Sequence, residues 1–424
     1  MKIHQNMDRS TKYKTLTDPI HGFISVPKGT VLRLMDHPYV QRLRRIRQLG
    51  SGFLVFPGAE HSRFSHALGA LGLMQRALNN LREKGTTITF KEIEAACICI
   101  LLHDIGHGPF SHTLENTLIE NFHHEQMTYA LMDILNKEFD GGLDLAIAIF
   151  NDQYHKKFFH QLVSSQLDID RLDYLKRDST FTGVYEGSIG IDRILRTMRV
   201  HKGTIVIEKK GLYAVENYLI SRRLMYLQVY LHKTVLSADK LLRSIFDRVR
   251  QLVKRSASLT VPSTSLDWFI RNKANAKNGL SKELISHYIQ LDDNDVILCI
   301  KSWSNHRDPV LRDLCTRYLN RNLLRCTFFD EKESERQRIK MIQATKRVLL
   351  DSGLPNDDAT VNLYLQFGSV STDTYKNEND RIWILDDSSK QAVEFSTVSE
   401  AQNVTSLIKP LIRHYVIHHK NVAV

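Results

Sequence analysis

The sequence predicts a mainly α-helical protein with a smaller α+β region at its C-terminal end. Helical periodicity dominates from Ser65 to about Arg250, where apolar residues recur three or four positions apart between glycine-containing loops. After Pro355 the composition changes, and short runs typical of strands alternate with turn residues. We therefore divide the chain into four parts: an N-terminal segment (1–50), a helical core (51–250), a helical extension (251–350) and the α+β region (351–424).

The N-terminal elements follow from turn signals and helical spacing. Residues 1–30 are expected to be irregular, because Asp18-Pro19 and His21-Gly22 favour turns around the short apolar run 23–26. From Val31 to Ile46 the apolar spacing predicts helix, with arginines on much of the remaining surface. This segment is therefore expected to lead into the helical core as a basic helix.

The later elements are predicted in the same way. A small strand or hairpin is expected at 203–211, followed by one or two long helices over 212–252. More helix is expected beyond residue 265, and the dense charge of residues 330–346 is typical of a solvated helix face.

The α+β region contains three runs with strand composition, at 361–365, 381–385 and 392–395. Residues 376–380 are rich in turn formers, and residues 407–419 are predicted to be helical. No motif in this region has recognisable chemistry, so oligomer contacts are the role we expect for it.

The composition excludes several classes of protein. The 424 residues include 58 Lys and Arg against 47 Asp and Glu, a formal net charge of +11, and 42% are hydrophobic. That apolar content is enough for a sizeable core, so a mainly disordered chain is excluded. The longest apolar run, Ala95–Leu102, is far shorter than the ~20 residues that span a bilayer, so no membrane insertion is expected. The positive charge favours polyanions, and charge alone does not choose among nucleotides, nucleic acid and acidic membranes.

The chain is expected to be cytoplasmic. Its first residues lack the apolar stretch and small-residue cleavage site of a secretion signal. The five cysteines are odd in number and form no Cys-x-x-Cys pair. Buried thiols in a reducing compartment are therefore the expected state.

Adjacent imidazole and carboxylate side chains predict a metal site. The apolar run 95–102 ends in His103-Asp104, a ligand pair that suits a divalent cation such as iron, manganese or magnesium. His107 follows four residues later, on the same face if the helix continues that far. The glycines and the proline within 106–109 disfavour helix, so we expect the chain to turn there and open a pocket.

His66 and Asp170 are the further candidate ligands. Taken singly, a histidine near an apolar face is more often a hydrogen-bonded core residue, and an aspartate is more often a helix cap or a surface charge. The ordered series is what favours a metal site, and it comprises Arg63/His66, His103-Asp104, His124-Glu125 and Asp170.

This series resembles the HD-domain metal-dependent phosphohydrolases. Within them, the chain is most similar to the deoxynucleoside triphosphate triphosphohydrolases (dNTPases), which include bacterial dGTPase-type enzymes and a mammalian member with a sterile-alpha-motif domain. The resemblance extends from about residue 14 to about residue 250. It rests on the blocks Asp18-Pro-Ile-His-Gly22, Gln41-Arg-Leu-Arg44, Gln48-Leu-Gly50, Val55-Phe-Pro-Gly-Ala59, Arg63-Phe-x-His66, His103-Asp-x-Gly-His-Gly-Pro-Phe-Ser-His112, His124-Glu-Gln126 and Asp170-x-x-Asp-Tyr174.

The resemblance implies a helical HD-domain core and a metal held by His66, His103, Asp104 and Asp170. Two histidines and two aspartates leave coordination positions for water and a phosphate oxygen. The ion, which the sequence does not resolve among Mn, Fe, Mg, Zn and Ni, would promote attack of water on the α-phosphorus. The products would be inorganic triphosphate and a deoxynucleoside.

A second tier of residues carries the catalytic roles that the resemblance implies. His107, His112 and His124 are candidates to donate a proton to the departing 5′ oxygen, because imidazole titrates near neutral pH. Glu115 is the candidate that orients them, and Glu125 adjoins His124. Which histidine is the acid stays open, as does a purely structural role for all three.

The resemblance also implies a set of substrate contacts. Arg63, Arg171 and Arg222 would neutralise the triphosphate, although the mammalian member has lysine at the position of Arg171. The residues that would surround the nucleoside are Gln48, Leu49, Tyr174, Asp178, Tyr226 and Tyr230. Tyr174 would exclude a 2′-hydroxyl, unless it is simply a core aromatic. Tyr226 replaces a histidine of the mammalian member, so base preference does not transfer.

An activator site is a further implication. In the mammalian member, the positions of Asp36, Gln41 and Arg44 bind a guanine nucleotide, and those of His232 and Lys233 lie near a second one. We therefore expect dGTP or GTP to promote a homo-oligomer, a dimer or a tetramer. The alternative is that the basic helix around residues 41–47 is simply a solvated face.

Two other functions remain alternatives to a dNTPase. One is another HD-type phosphohydrolase, either a nucleotidase or a phosphodiesterase. The other is a regulatory module that binds nucleic acid, which the net charge permits although no RRM, KH or zinc-finger pattern occurs.

Overall fold

The structure is a computed structural model that describes residues 12–372, 375, 381–386, 388–399 and 411–423. Its mainly helical fold confirms the predicted class. The helices up to residue 254 are α1 (Thr30–Asp36), α2 (Pro38–Arg42), α3 (Arg63–Glu83), α4 (Phe90–Leu102), α5 (Glu115–Leu118), α6 (His124–Glu138), α7 (Asp144–Phe150), α8 (Phe158–Val163), α9 (Ile169–Thr182), α10 (Ile191–Thr197), α11 (Leu212–Met225) and α12 (Lys233–Lys254). Those that follow are α13 (Thr264–Arg271), α14 (Lys282–Tyr288), α15 (Asp293–Trp303), α16 (Pro309–Leu319), α17 (Glu335–Asp351), α18 (Asp358–Tyr364) and α19 (Phe395–Val398).

Two long helices form the centre of the core. Helix α3 packs against both α4 and α9. Every residue of the apolar run 95–102 in α4 is buried, so this helix is surrounded by protein rather than facing water on one side. Thr89 caps α4 in a reciprocal capping box with Glu92, which fixes where the helix begins. None of the helices that the structure describes is both long and apolar enough to cross a bilayer.

Residues 13–27 form a β-hairpin, which corrects the expectation that this segment is irregular. Strand β1 (Tyr13–Asp18) pairs antiparallel with β2 (Gly22–Pro27). The Asp18 carboxylate accepts hydrogen bonds from the amides of Ile20 and His21, and Gly22 adopts a positive φ of 73°. The residues that predict a turn do form one, and this turn joins two paired strands.

The helix predicted over 31–46 is interrupted. Helix α1 ends at Asp36 and α2 begins at Pro38, because the residue before a proline is driven out of the helical region. His37 accordingly has an extended ψ of 141°. The break turns the basic segment around the helical core.

The remaining strands form two small sheets. The strands are β3 (Met198–His201), β4 (Thr204–Glu208), β5 (Arg325–Phe329), β6 (Gln366–Thr372), β7 (Trp383–Asp386), β8 (Gln391–Glu394) and β9 (Leu411–His418). One sheet has the order β3-β4-β7-β8, with β4 and β7 parallel, and the other has the order β5-β9-β6. The strand or hairpin predicted at 203–211 corresponds to β4, which forms a hairpin with the preceding β3, while residues 209–211 form a short 3-10 helix. Strand β7 of the C-terminal region pairs with β4.

Two predictions for the C-terminal region were wrong. Residues 361–365, predicted as a strand, lie mostly in α18, where the Asp357 side chain caps the helix and Val361 and Tyr364 pack into the core. Residues 411–418, predicted as helix, form β9, the central strand of its sheet. A short buried apolar run fits either structure, and tertiary pairing decides between them. The predicted turn at 376–380 and residues 407–410 lie outside the described residues.

Candidate active site

Three helix ends meet at one point in the core. Helix α3 carries His66 in its first turn, and α9 carries Asp170 in its own first turn. His103 and Asp104 follow directly after the last residue of α4, where the chain turns as the sequence predicts. Asp168 caps α9 by accepting the amide hydrogen of Arg171. The four candidate metal ligands are thus delivered by rigid elements.

The donor atoms of these four residues lie close together. His66 Nε2 is 3.0 Å from Asp170 Oδ1, 3.3 Å from His103 Nε2 and 3.8 Å from Asp104 Oδ2. His103 Nε2 is 3.4 Å from Asp170 Oδ1 and 3.5 Å from Asp104 Oδ1. Ligands about 2.1 Å from a shared ion are separated by roughly 3.0–3.4 Å, so the spacings among His66, His103 and Asp170 suit a single cation, and the Asp104 oxygens lie slightly farther out.

Hydrogen bonds at the far side of each ring leave both Nε2 atoms for a metal. Nδ1 of His66 is 2.7 Å from Asp173 Oδ2, and Nδ1 of His103 is 2.7 Å from the carbonyl oxygen of Ile100. A carboxylate or carbonyl in that position selects the tautomer with a free Nε2 lone pair. Two such imidazoles and two carboxylates fit a divalent transition metal or manganese ion.

The carboxylates also hold a proton on His66. Burial opposes a charge on this ring, but hydrogen bonds to Asp170 and Asp173 outweigh it and raise the pKa of His66 to about 10. A cation that bound Nε2 would take the place of that proton, which is the usual exchange at such sites.

A buried ion-pair network supports His66 from behind. Asp173 Oδ1 lies 2.7 Å from His21 Nε2, and the Asp173 carboxylate accepts two hydrogen bonds of 2.9 Å from Arg177. Arg177 also donates to Asp18, at 2.8 Å. Despite burial, Arg177 and the bonds from His21 and His66 hold the pKa of Asp173 well below its usual range. Asp173 therefore stays ionised and can orient His66.

This network explains motif residues to which the sequence assigned no role. Asp18 and His21 belong to one motif block and Asp173 to another, more than 150 positions away. Gly69 is also explained, because a methyl group there would overlap the Asp173 carboxylate and the Arg177 guanidinium. The signal in the sequence was the presence of these residues in the motif blocks, but their partners could not be read from spacing.

Two of the histidines predicted to act in catalysis, His112 and His124, contact the carboxylate of Glu115. Glu115 Oε2 is 3.0 Å from His112 Nδ1, and Oε1 is 3.2 Å from His124 Nδ1 and 2.6 Å from the His124 amide nitrogen. Although burial opposes it, hydrogen bonds from both rings hold the pKa of Glu115 well below its usual range. Because the carboxylate is ionised, both Nδ1 atoms donate to it, and the two rings are fixed in orientation.

His107 differs from the other two histidines. It is buried, and its ring stacks on His124 with a centroid separation of 3.8 Å. Burial and the nearby Arg63 guanidinium keep the pKa of His107 well below its usual value, so it is neutral. The three rings do not form a good metal site, because in-plane lone pairs of stacked rings point in parallel rather than at one ion.

A cleft of about 430 Å³ opens directly onto both groups. The predicted site residues that line it are Gln48, Leu49, Arg63, Asp104, His107, His112, His124, Asp170, Tyr174, Asp178, Tyr226 and Tyr230. Two of the candidate ligands, Asp104 and Asp170, line the cleft together with the three histidines and three tyrosines, whereas His66 and His103 do not line it. A polar reacting centre beside an aromatic pocket of this size suits a small molecule that carries both a charged and a planar part.

Comparison with known proteins agrees with this geometry. The family model described as "HD domain" matches residues 63–178, and the model described as "HD associated region" matches residues 189–259. The crystal structure of a phosphohydrolase from Bacteroides thetaiotaomicron superposes with a TM-score of 0.91 and 41% identity, covering 96% of this chain and all of that one. An uncharacterised Bacillus subtilis protein, YwfO, is 34% identical over 327 residues, covering 76% of this chain and 73% of that protein.

The chain belongs to the HD-domain family. It is a metal-dependent phosphohydrolase of this family. A more distant relative is the human deoxynucleoside triphosphate triphosphohydrolase SAMHD1, which is 27% identical over 277 residues, covering 55% of this chain and 44% of that protein.

The three arginines that are predicted to contact the triphosphate already form hydrogen bonds or ion pairs within the HD protein. Arg63 donates to Asp104 Oδ2 at 2.5 Å and to Ser111 Oγ at 2.9 Å. Arg171 pairs with Asp168, and Arg222 donates to the side chain of Gln166. Arg171 and Arg222 do not line the 430 Å³ cleft. Among the described residues, however, the Nε atoms of both are buried without a hydrogen-bond partner.

Both carboxylate oxygens of Asp178 have hydrogen-bond partners that the sequence does not predict. Its Oδ1 is 2.7 Å from His61 Nε2, and its Oδ2 accepts a hydrogen bond of 2.8 Å from the Tyr230 hydroxyl. Gln48 differs, because its Oε1 is buried and finds no hydrogen-bond partner among the described residues. Gln48 is therefore one of the acceptors in the described cleft lining that lack a donor.

Glu125 does not join the histidine cluster. It is exposed, and it lines a wider cleft of about 1010 Å³ along α6 that reaches the candidate ligands His103, Asp104 and Asp170 from the other side. Asp104, His124 and Asp170 thus line both clefts.

The candidate activator residues fall in two places. Arg44 donates to Gln41 Oε1 at 2.8 Å, while Asp36 lies 3.9 Å from Lys14. His232 caps α12 and Lys233 begins it. Lys233 lines a separate cleft of about 760 Å³, whose described lining includes the cations Arg321, Arg325 and Lys420 and no acidic residue.

Proposed function

We propose that this HD protein is a cytoplasmic dNTPase that hydrolyses deoxynucleoside triphosphates to the deoxynucleoside and inorganic triphosphate. The observation that carries the proposal is that two of the candidate metal ligands, Asp104 and Asp170, line the same cleft as the Glu115-bound histidines and three tyrosines. The likeness to a deoxynucleoside triphosphate triphosphohydrolase supports the same substrate class.

The chemistry would take place at the α-phosphorus. A divalent cation held by His66, His103, Asp104 and Asp170 supplies a Lewis acid that offsets phosphate charge and acidifies water. Arg63, which already contacts Asp104, would bring a further cation to the phosphate oxygens.

His112 or His124 would protonate the departing 5′ oxygen. Glu115 fixes both rings through Nδ1, which leaves both Nε2 atoms for the cleft. His107 is the weakest of the three candidates, because burial and the Arg63 guanidinium keep its pKa well below its usual value. Of the remaining two, His112 is more exposed, with 69% of its side chain accessible, so it can approach a bound substrate more freely.

The nucleoside would occupy the tyrosine side of the cleft. Gln48 Oε1, which lacks a donor, would accept a hydrogen bond from the 3′-hydroxyl. Tyr174, whose ring centroid is 6.3 Å from those of His66 and Tyr230, would stand where a 2′-hydroxyl needs space. Tyr226 and Tyr230 would stack against the base.

Product analysis tests the proposal. We expect the purified protein, incubated with Mn²⁺ and each dNTP, to release inorganic triphosphate, which 31P NMR distinguishes from smaller phosphates. Orthophosphate or pyrophosphate would instead indicate a different HD-type phosphohydrolase. No product from protein with a full complement of metal would indicate a binding module.

We further propose that dGTP or GTP binds between subunits and promotes a dimer or tetramer. The cationic cleft at Lys233, with no acidic residue in its described lining, offers a polyphosphate the charge complementarity that such binding needs. Gln41 and Arg44, which contact one another, would contribute a separate site on the N-terminal segment.

Added GTP or dGTP is expected to enlarge the particle in mass photometry and to raise dNTP turnover. The paired change Lys233→Glu with Arg321→Glu should remove both responses, because it reverses the charge of the cleft. Lys273→Glu with Lys277→Glu changes the same number of exposed charges elsewhere and should leave the responses intact. Unchanged particle size and turnover in the native protein would refute the activator proposal.

A further inference from the structure

Asp293, the first residue of α15, joins two segments of the active site. It is 1% exposed. Its Oδ1 accepts a hydrogen bond of 2.8 Å from the amide of Phe110, and its Oδ2 accepts one of 2.9 Å from the amide of Arg47. The carboxylate therefore uses one oxygen for each segment.

The two segments both contribute to the lining of the substrate cleft, where they lie next to one another. Arg47 immediately precedes Gln48 and Leu49, which line the cleft. Phe110 lies two residues before His112, which lines it as well. The distance between these parts of the cleft thus depends on a residue that does not itself line it.

The segment that carries His112 needs such support. Phe110 and Ser111 are consecutive non-glycine residues with positive φ angles of 53° and 48°. This region of backbone space is disfavoured for residues with side chains, and a pair in sequence persists only where the surroundings hold it. Asp293 holds the Phe110 amide, and Arg63 Nε holds Ser111 Oγ.

Asp293 comes from outside the matched family regions, which end at residue 259. A neighbouring contact strengthens the same junction, because the buried Arg42 donates to the carbonyl oxygens of both Leu291 and His107. The segment around residues 291–293 therefore braces the turn that follows His103-Asp104.

We propose that Asp293 is a positioning residue that sets the separation between the Gln48–Leu49 segment and the His112 segment, so that His112 reaches the reacting phosphate. The catalytic part of this inference rests on the proposed function. A carboxylate is required because both partners are N–H donors, and an amide would turn an NH₂ group toward one of them.

The test is Asp293→Asn, which preserves size, with Asp351→Asn, the same change at an exposed carboxylate on another helix, as the control. We expect Asp293→Asn to lower kcat about a hundred-fold, because small misplacements of a catalytic group have effects of this order. Bound metal should be unchanged, since no ligand is altered. Hydrogen exchange should accelerate at peptides covering Arg47 and Phe110 but not elsewhere in the core.

A double-mutant comparison separates positioning from general destabilisation. In a His112→Ala background, Asp293→Asn should cause little further loss of kcat, because the residue acts through His112. Equal losses in both backgrounds, or unchanged exchange at the two segments, would overturn the proposal. Asp293→Glu, which keeps two acceptors, provides the same comparison if the asparagine variant does not fold. The exchange and metal measurements need no substrate, so they remain decisive if the native protein proves not to hydrolyse dNTPs.

Discussion

Replacing His103 and Asp104 together with alanine should abolish metal binding and lower phosphohydrolase activity by at least about a thousand-fold. The change removes two of the four candidate ligands. A catalytic metal stabilises the transition state by several kcal/mol, and each ~1.4 kcal/mol corresponds to a tenfold change in rate. Metal content measured by mass spectrometry and turnover measured on the same sample check the expectation.

The control for this variant is His155→Ala with Asp351→Ala. Both residues are exposed, so the control removes one imidazole and one carboxylate without touching the centre. A doubly substituted His103/Asp104 protein that retained metal and activity would show that the cation is bound elsewhere.

Arg177→Met should lower the free energy of unfolding by about 3–5 kcal/mol, because it leaves buried carboxylates without their cation. Arg177 is fully buried and donates to both Asp173 and Asp18. Urea titration followed by circular dichroism checks the expectation. The variant should also bind metal more weakly, since Asp173 orients His66.

Arg76→Met is the matched control, because Arg76 pairs with Asp192 at the surface, where the two side chains are 49% and 76% exposed. Such a pair contributes about 0–1 kcal/mol. Equal losses of stability in the two variants would contradict the assignment of Arg177 as the centre of a buried network.

Much of the candidate site could be predicted from the sequence because chemistry and order along the chain are both visible there. An adjacent His103-Asp104 at the end of an apolar run indicates a buried ligand pair, and Glu115 lies one turn from His112. The ordered series of histidines and acids added His66 and Asp170 as candidates, and the resemblance to a known family supported them. The structure brings these residues together at the distances described above.

The supporting contacts could not be predicted, because they join positions far apart in the chain. Asp173 meets His21 across 152 positions, and Asp293 meets Phe110 across 183. Periodicity also failed for β9 and for α18, where short apolar runs took the structure that their neighbours imposed. Local sequence pattern was therefore enough to choose the candidate ligands, while the contacts that support them depend on tertiary packing.

The central claim is that His66, His103, Asp104 and Asp170 bind one divalent cation. Anomalous diffraction at the manganese edge, from crystals grown with Mn²⁺, tests it most directly. The account predicts a strong peak about 2.0–2.2 Å from Nε2 of both histidines and from an oxygen of each aspartate. A peak bound by other residues, or a centre that stays empty at saturating Mn²⁺, would contradict it.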